Sequence, residues 1–281
     1  AAITGANAVC EGSTVVLATT TTGGTWSSSN TLAATISSTG VVIGIAAGNT
    51  VLTYSVTDAN GCSNSVTAAM TVNAGTTATI SASSATTFCA GGSVTLTSSS
   101  ATGNVWSTTE TTQSITVNQS GDYSVTVTDG NGCVATSATT TVTVNPLPVI
   151  GIGTVTSPAN CGEANGSIEV TGSSTGTLNW TGTASGSQAT TLPHTVSGLT
   201  AGSYTFQFTD GNGCVSAQVS QSLSDPGAPA TPTISASGST TFCEGESVTL
   251  TSSSLTGNTW STGETTQSII VTSSNNYSVT V

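Results

Sequence analysis

The sequence predicts an all-β chain built from tandem β-sandwich modules in a linear array, with essentially no helix. Three features lead there. Runs of alternating side chains recur, as in Leu52-Thr-Tyr54-Ser-Val56, Tyr123-Ser-Val-Thr-Val127 and Tyr204-Thr-Phe-Gln-Phe208; a period of two is that of a half-buried strand. Each run leads into a near-identical sextet: Thr57-Asp58-Ala59-Asn60-Gly61-Cys62, Thr128-Asp129-Gly130-Asn131-Gly132-Cys133 and Thr209-Asp210-Gly211-Asn212-Gly213-Cys214. Asp-Gly and Asn-Gly supply the positive-φ residues of a tight hairpin turn. Finally, Trp26, Trp106, Trp180 and Trp260 alternate with Tyr54, Tyr123, Tyr204 and Tyr277, one of each per repeat. They are the expected core anchors of a module used four times.

The first module is expected over 1–73. Its stretch Trp26-Ser-Ser-Ser-Asn30, Ala34-Thr-Ile and Gly40-Val-Val-Ile-Gly-Ile-Ala-Ala-Gly48 resembles the bacterial Ig-like group 2 module. The second is expected over 74–145, with Phe88-Cys89, Ser93-Val-Thr-Leu96, Trp106, Gln113-Ser-Ile-Thr-Val117 and Tyr123 in order. It resembles the Ig-like or PKD-like repeats of giant surface proteins in gliding bacteria. The third, over 146–227, reads Cys161-Gly-Glu-Ala-Asn-Gly166-Ser-Ile, Trp180, Gly198-Leu199-Thr-Ala-Gly202-Ser-Tyr204 and then the turn sextet. It is similar to the SprB-type repeat of gliding-motility adhesins, which implies a very large surface protein exported by the type 9 secretion route. The fourth, over 228–281, is a copy of the second: Ile234–Val281 matches Ile80–Val127 at 36 of 48 positions. On that alignment the counterpart of Cys133 falls six residues past Val281, so this module is expected to be cut short. Prolines punctuate the later joints, at Pro146 and Pro148 and at Pro226, Pro229 and Pro232; they stiffen linkers and keep edge strands from pairing onward. The first joint, Asn73-Ala-Gly-Thr-Thr77, has none and is expected to bend more.

Charge excludes whole classes of function. The 281 residues contain no Lys or Arg, twelve acids and one His, a net charge of −12. An average chain of this length carries roughly 30 cationic residues. Without them there is nothing to neutralise phosphates, so nucleic-acid binding is not expected. There is no polybasic handle for anionic lipid and no lysine for an isopeptide brace. No apolar run reaches membrane-spanning length; Val41-Val-Ile-Gly-Ile-Ala46 is far too short. Ser and Thr make up 106 of the residues, so the exposed surface is hydroxyl-rich.

Seven cysteines, none in Cys-x-x-Cys spacing, read as disulfides and hence as an oxidising, extracellular or cell-surface location. Cysteine arithmetic brackets each module with one pair: Cys10–Cys62, Cys89–Cys133 and Cys161–Cys214, with Cys243 left unpaired because its module is cut short. Such loops contribute up to about 4 kcal/mol each in the chain-entropy model. Geometry stands in tension with this. In a standard immunoglobulin strand order the segment before the second strand and the last hairpin turn lie at opposite ends of a sandwich. A Cα separation above about 7 Å excludes the pairing.

Candidate chemistry is sparse. Asp58, Asp129 and Asp210 are the candidates for calcium, but calcium wants six to eight oxygens and the turn supplies about two; a turn aspartate accepting backbone N–H bonds explains them as well. The Trp residues suit either sugar stacking or a sandwich core. His194, the lone histidine, sits in Leu192-Pro-His-Thr, read as an exposed loop of one repeat only. No catalytic constellation is present, and no enzyme activity, metal or cofactor is expected. The reading is a structural repeat region of a secreted or cell-surface adhesin or extracellular fibre, acting as a disulfide-braced stalk whose partners are neighbouring repeats. A self-assembling filament subunit, pairing with other copies in a fibre, and a polysaccharide-binding module are the alternatives.

Overall fold

A computed structural model describes residues 2–227 and 230–281; the expected start of the fourth module, Ala228, lies outside them. Among the described residues every regular element is a strand and none is a helix. The Thr/Val alternation explains this, because β-branched residues pack well on a pleated, half-buried surface. Strand Val94–Ser98 alternates buried and half-buried along its whole length, as does its copy Val248–Ser252.

The first sandwich places Ala8–Cys10, Ser63–Asn73, Gly48–Thr57 and Thr25–Ser28 side by side in one sheet. Facing it are Thr14–Val16, Val41–Gly44 and Ala34–Ile36. Ile3–Thr4 and Ala18–Thr19 form a separate short antiparallel pair. This is the strand order of an immunoglobulin-like sandwich. One pairing is parallel: Ala8–Cys10 runs alongside the last strand, with Cys10 level with Asn73. The second sandwich repeats the plan. Ile80–Ala82, Val94–Ser98 and Ser114–Val117 form one sheet. Thr87–Cys89 runs parallel to Thr140–Asn145, with Cys89 level with Asn145. Asn104–Trp106, Val125–Thr128 and Val134–Thr136 complete the second face.

The third sandwich pairs Gly151–Thr156, Gly166–Thr171 and His194–Leu199 on one face. Its other face orders Gly186–Thr191, Thr175–Gly182, Gly202–Asp210 and Val219–Leu223. Here an extra strand, Gly186–Thr191, flanks Thr175–Gly182, and among the described residues there is no counterpart of the short parallel strand of the first two sandwiches. In the last stretch Ile234–Ala236, Val248–Ser252 and Ser268–Val271 pair as in the second sandwich, opposite Thr259–Trp260 with Val279–Thr280.

Each stretch has its own hydrophobic cluster. Leu52, Val42, Met70 and Val72 centre the first; Leu96, Trp106, Val125 and Val127 the second; Tyr204, Phe206, Phe208 and Leu178 the third; Leu250, Trp260 and Ile269 the last. Contacts divide the chain into two compact units, 1–148 with 209–216, and 149–208 with 217–281.

Candidate functional site

The repeated turn is built by its aspartate. Asp129 Oδ1 accepts the backbone N–H of Asn131 and of Cys133, both at 2.9 Å. Asp58 does the same for Asn60 and Cys62, and Asp210 for Asn212 and Cys214. The Asp and Cys backbones also close on each other, Asp129 N to Cys133 O at 3.0 Å. The second glycine of the sextet is the one in the left-handed region, at φ +84°, +83° and +80° for Gly61, Gly132 and Gly213. Gly130 and Gly211 are not, which is why Ala59 replaces them in the first copy. The loop is thus a three-residue turn closed by a glycine bulge. These carboxylates organise their own backbone, and no group of three His, Cys, Asp or Glu side chains able to hold a metal occurs among the described residues.

The turn presents its cysteine to a partner in a different repeat. Cys133 is bonded to Cys10, with Cα atoms 5.6 Å apart, and Cys214 to Cys89, at 5.5 Å. The expected pairs Cys10–Cys62, Cys89–Cys133 and Cys161–Cys214 are therefore corrected. Cys10 sits level with Asn73, at the end of the last strand, where the chain leaves the sandwich. Cys62 precedes the start of that same strand, Ser63–Asn73. Eleven residues of extended chain put roughly 35 Å between them. Cys89 is likewise level with Asn145, and Cys133 lies at the opposite end of its hairpin. Within each of the first two sandwiches the two cysteines occupy opposite ends, and each disulfide that forms joins cysteines of two different repeats. Cys62, Cys161 and Cys243 are free and exposed. Cys243 is free, and the partner its counterpart Cys89 takes lies in the following repeat and not in its own.

The aromatic anchors divide. Trp106 and Trp260 are 2% exposed, each donating Nε1–H to a backbone carbonyl, Thr112 at 2.9 Å and Thr266 at 2.8 Å. They are closed to any sugar. Trp26 is half-buried against the first core and stacks at a tilt on Tyr54, centroids 4.9 Å apart; Trp180 is half-buried against the third. Tyr123, Tyr204 and Tyr277 each donate the hydroxyl to the carbonyl four residues upstream, Gln119, Thr200 and Ser273, at 3.1, 2.9 and 2.9 Å. This is the tyrosine corner of immunoglobulin-like sandwiches. The sequence signal for it was the Tyr opening each alternating run, read only as a core residue. Tyr54 differs, donating to Thr21 O across the sheet at 3.0 Å. His194 opens a strand instead of sitting in an exposed loop; it is half-buried, with Nδ1 3.1 Å from Thr190 Oγ1.

No protein-family profile matches the chain, and no curated protein is similar to it. Solved structures are similar at low identity. One is a calcium-stabilised adhesin with which an Antarctic bacterium reaches out and binds ice: 17% identity, 99% of this chain and 90% of that one covered, TM-score 0.34. Another is a tetra-tandem repeat from the extending region of a large adhesion protein: 14% identity, 99% and 90% covered, TM-score 0.25. A third is the set of immunoglobulin domains 1–4 of Sidekick-1: 13% identity, 79% and 73% covered, TM-score 0.30. The assignment of an immunoglobulin-like sandwich stands on strand order, parallel first strand and tyrosine corner.

Proposed function

We propose that the chain is the structural repeat region of a secreted or cell-surface adhesin, a stalk whose successive sandwiches are joined covalently as well as by the backbone. The observation that carries this is the direction of the disulfides. Cys10–Cys133 and Cys89–Cys214 overlap, so the segment from Cys10 to Cys214 holds no joint without a second covalent connection. Even the proline-free joint after Asn73 is spanned, by Cys10–Cys133 and by a 3.4 Å bond from Gly75 N to the Glu11 carboxylate. Disulfides inside each sandwich would protect the folds; disulfides between repeats protect the line. Structural disulfides also fit an oxidising, extracellular setting. The SprB-like sequence of residues 161–214 supports display on a gliding bacterium by type 9 secretion as the finer form of this reading.

The test is electron cryo-tomography of cells that display the chain, with the repeat marked by antibody. Single-chain threads rooted in the envelope are the expected result. Ordered multi-chain fibres with a helical repeat overturn the stalk.

A further inference from the structure

The two formed disulfides use two kinds of cysteine. One kind lies in the Asp-x-Asn-Gly-Cys turn, as Cys133 and Cys214 do. The other lies beside the chain leaving a sandwich, as Cys10 and Cys89 do, level with Asn73 and Asn145. The three free cysteines sort into the same kinds. Cys62 occupies the turn, with the Asp58 carboxylate holding its N–H at 2.9 Å as Asp129 holds that of Cys133. Cys243 carries the loop of the other kind: Glu246 N–H donates to Cys243 O at 3.1 Å, as Ser13 does to Cys10 O and Gly92 to Cys89 O at 3.0 Å. Cys161 reaches the same place by a different loop. Its Sγ donates to Pro226 O at 2.7 Å, on the chain that follows the last strand of its sandwich, Val219–Leu223. Exposure follows bonding. The turn cysteine is 2% and 0% exposed where it is bonded, at Cys133 and Cys214, and exposed where it is free, at Cys62.

We infer that Cys62, Cys161 and Cys243 are unpaired halves of this same staple, a covalent docking site that discriminates by kind. Cys62 takes an exit-side cysteine, and Cys161 and Cys243 each take a turn cysteine, from another repeat. The inference rests on the stalk reading for its biological setting but not for its chemistry. Bond formation needs a disulfide oxidant, such as glutathione disulfide. One protein thiolate attacks a sulfur of the oxidant and expels a glutathione thiolate, which takes up a proton. The thiolate of the second protein cysteine then attacks the protein sulfur of that mixed disulfide and expels the other. One protein disulfide forms, two electrons pass to the oxidant, and two glutathione thiols result.

The experiment uses the full chain in three versions that each keep one free thiol: C161S/C243S keeps Cys62, C62S/C243S keeps Cys161, and C62S/C161S keeps Cys243. These three positions are exposed, so serine there leaves the cores intact. Equimolar pairs are incubated in a glutathione redox buffer and separated without reduction. The expected result is that Cys62 chains combine with Cys161 or Cys243 chains at least fivefold over either homodimer, with Cys62–Cys161 or Cys62–Cys243 peptides found by mass spectrometry. Random pairing in a 1:2:1 ratio, or glutathione adducts alone, overturns the inference. On native protein, alkylation without reduction is the second arm. Blocked thiols with a mass that falls on reduction place the partner on a second copy, and blocked thiols with an unchanged mass place it on the same chain. Alkylatable Cys62, Cys161 and Cys243 in native protein overturn it. Multi-chain fibres on cells would remove the stalk while leaving the pairing rule standing.

Discussion

Thr109 holds φ at +79°, the left-handed region, where the matching position of the copy is Gly263 at +95°. A β-branched residue there costs about 1–2 kcal/mol, partly offset by the backbone entropy that glycine loses on folding. T109G is therefore expected to stabilise its sandwich by up to about 1 kcal/mol, and G263T to destabilise the other by a similar amount, up to about 1 kcal/mol. No atom stands within 4 Å of a Cβ built on Gly263, so strain and not a clash is what thermal melts of the two variants would read. The next residue makes its own prediction. The Thr108 hydroxyl, and then the backbone N–H of Glu110 itself, hold the Glu110 carboxyl below the ordinary glutamate value of 4.5, and Thr262 with the Glu264 N–H does so for Glu264. A carboxyl with a depressed folded-state value stabilises the fold above its unfolded value and loses that contribution as pH falls through the folded one. Melting temperature should therefore drop on acidification below about pH 4.5, and T108V/T262V should make the drop shallower. Both groups are exposed, so the effect is small. An unchanged pH profile would contradict the assignment.

At the scale of the element, the turn separates two explanations of its aspartate. If Asp129 works by accepting two N–H bonds through Oδ1, asparagine keeps the acceptor and alanine removes it. D129A should then cost about 1–2 kcal/mol and D129N only a few tenths, in chemical denaturation. Equal loss in both, or a melting temperature that rises with added calcium in wild type and not in D129N, would favour a cation role instead. Much at this scale was legible. The Thr/Val alternation announced strands such as Val94–Ser98, and Asp-x-Asn-Gly announced the hairpin. Which glycine bends was not legible from Gly130 and Gly132 alone, though Ala59 at the first of them was the clue. The parallel strands Ala8–Cys10 and Thr87–Cys89 were hidden, being three residues long and without alternation of their own. Those two strands fix where Cys10 and Cys89 lie, so the site was misread at the step they control.

For the whole molecule, cysteine number is the same whether disulfides close each sandwich or join neighbours; only the position of the two ends decides. The tension between strand order and cysteine arithmetic was visible in the sequence, and geometry resolved it. A mechanical consequence follows. From Cys10 to Cys214 the backbone runs 204 residues, but the shortest covalent path crosses both disulfides and uses the 44 residues from Cys89 to Cys133. Pulled from its ends by single-molecule force spectroscopy, the oxidised chain should extend roughly 550 Å less than the reduced one. In the chain-entropy model each staple also contributes up to about 5 kcal/mol. With C10S/C133S the path lengthens to the 79 residues from Cys10 to Cys89, while within-sandwich pairing predicts no such value.

The central claim is that the disulfides run between repeats, and disulfide mapping of unreduced protein tests it most directly. The chain lacks Lys and Arg, so trypsin has no site; pepsin at low pH cuts it while suppressing exchange. Peptides joining Cys10 to Cys133 and Cys89 to Cys214 are the predicted result. Peptides joining Cys10 to Cys62 or Cys89 to Cys133 would contradict it.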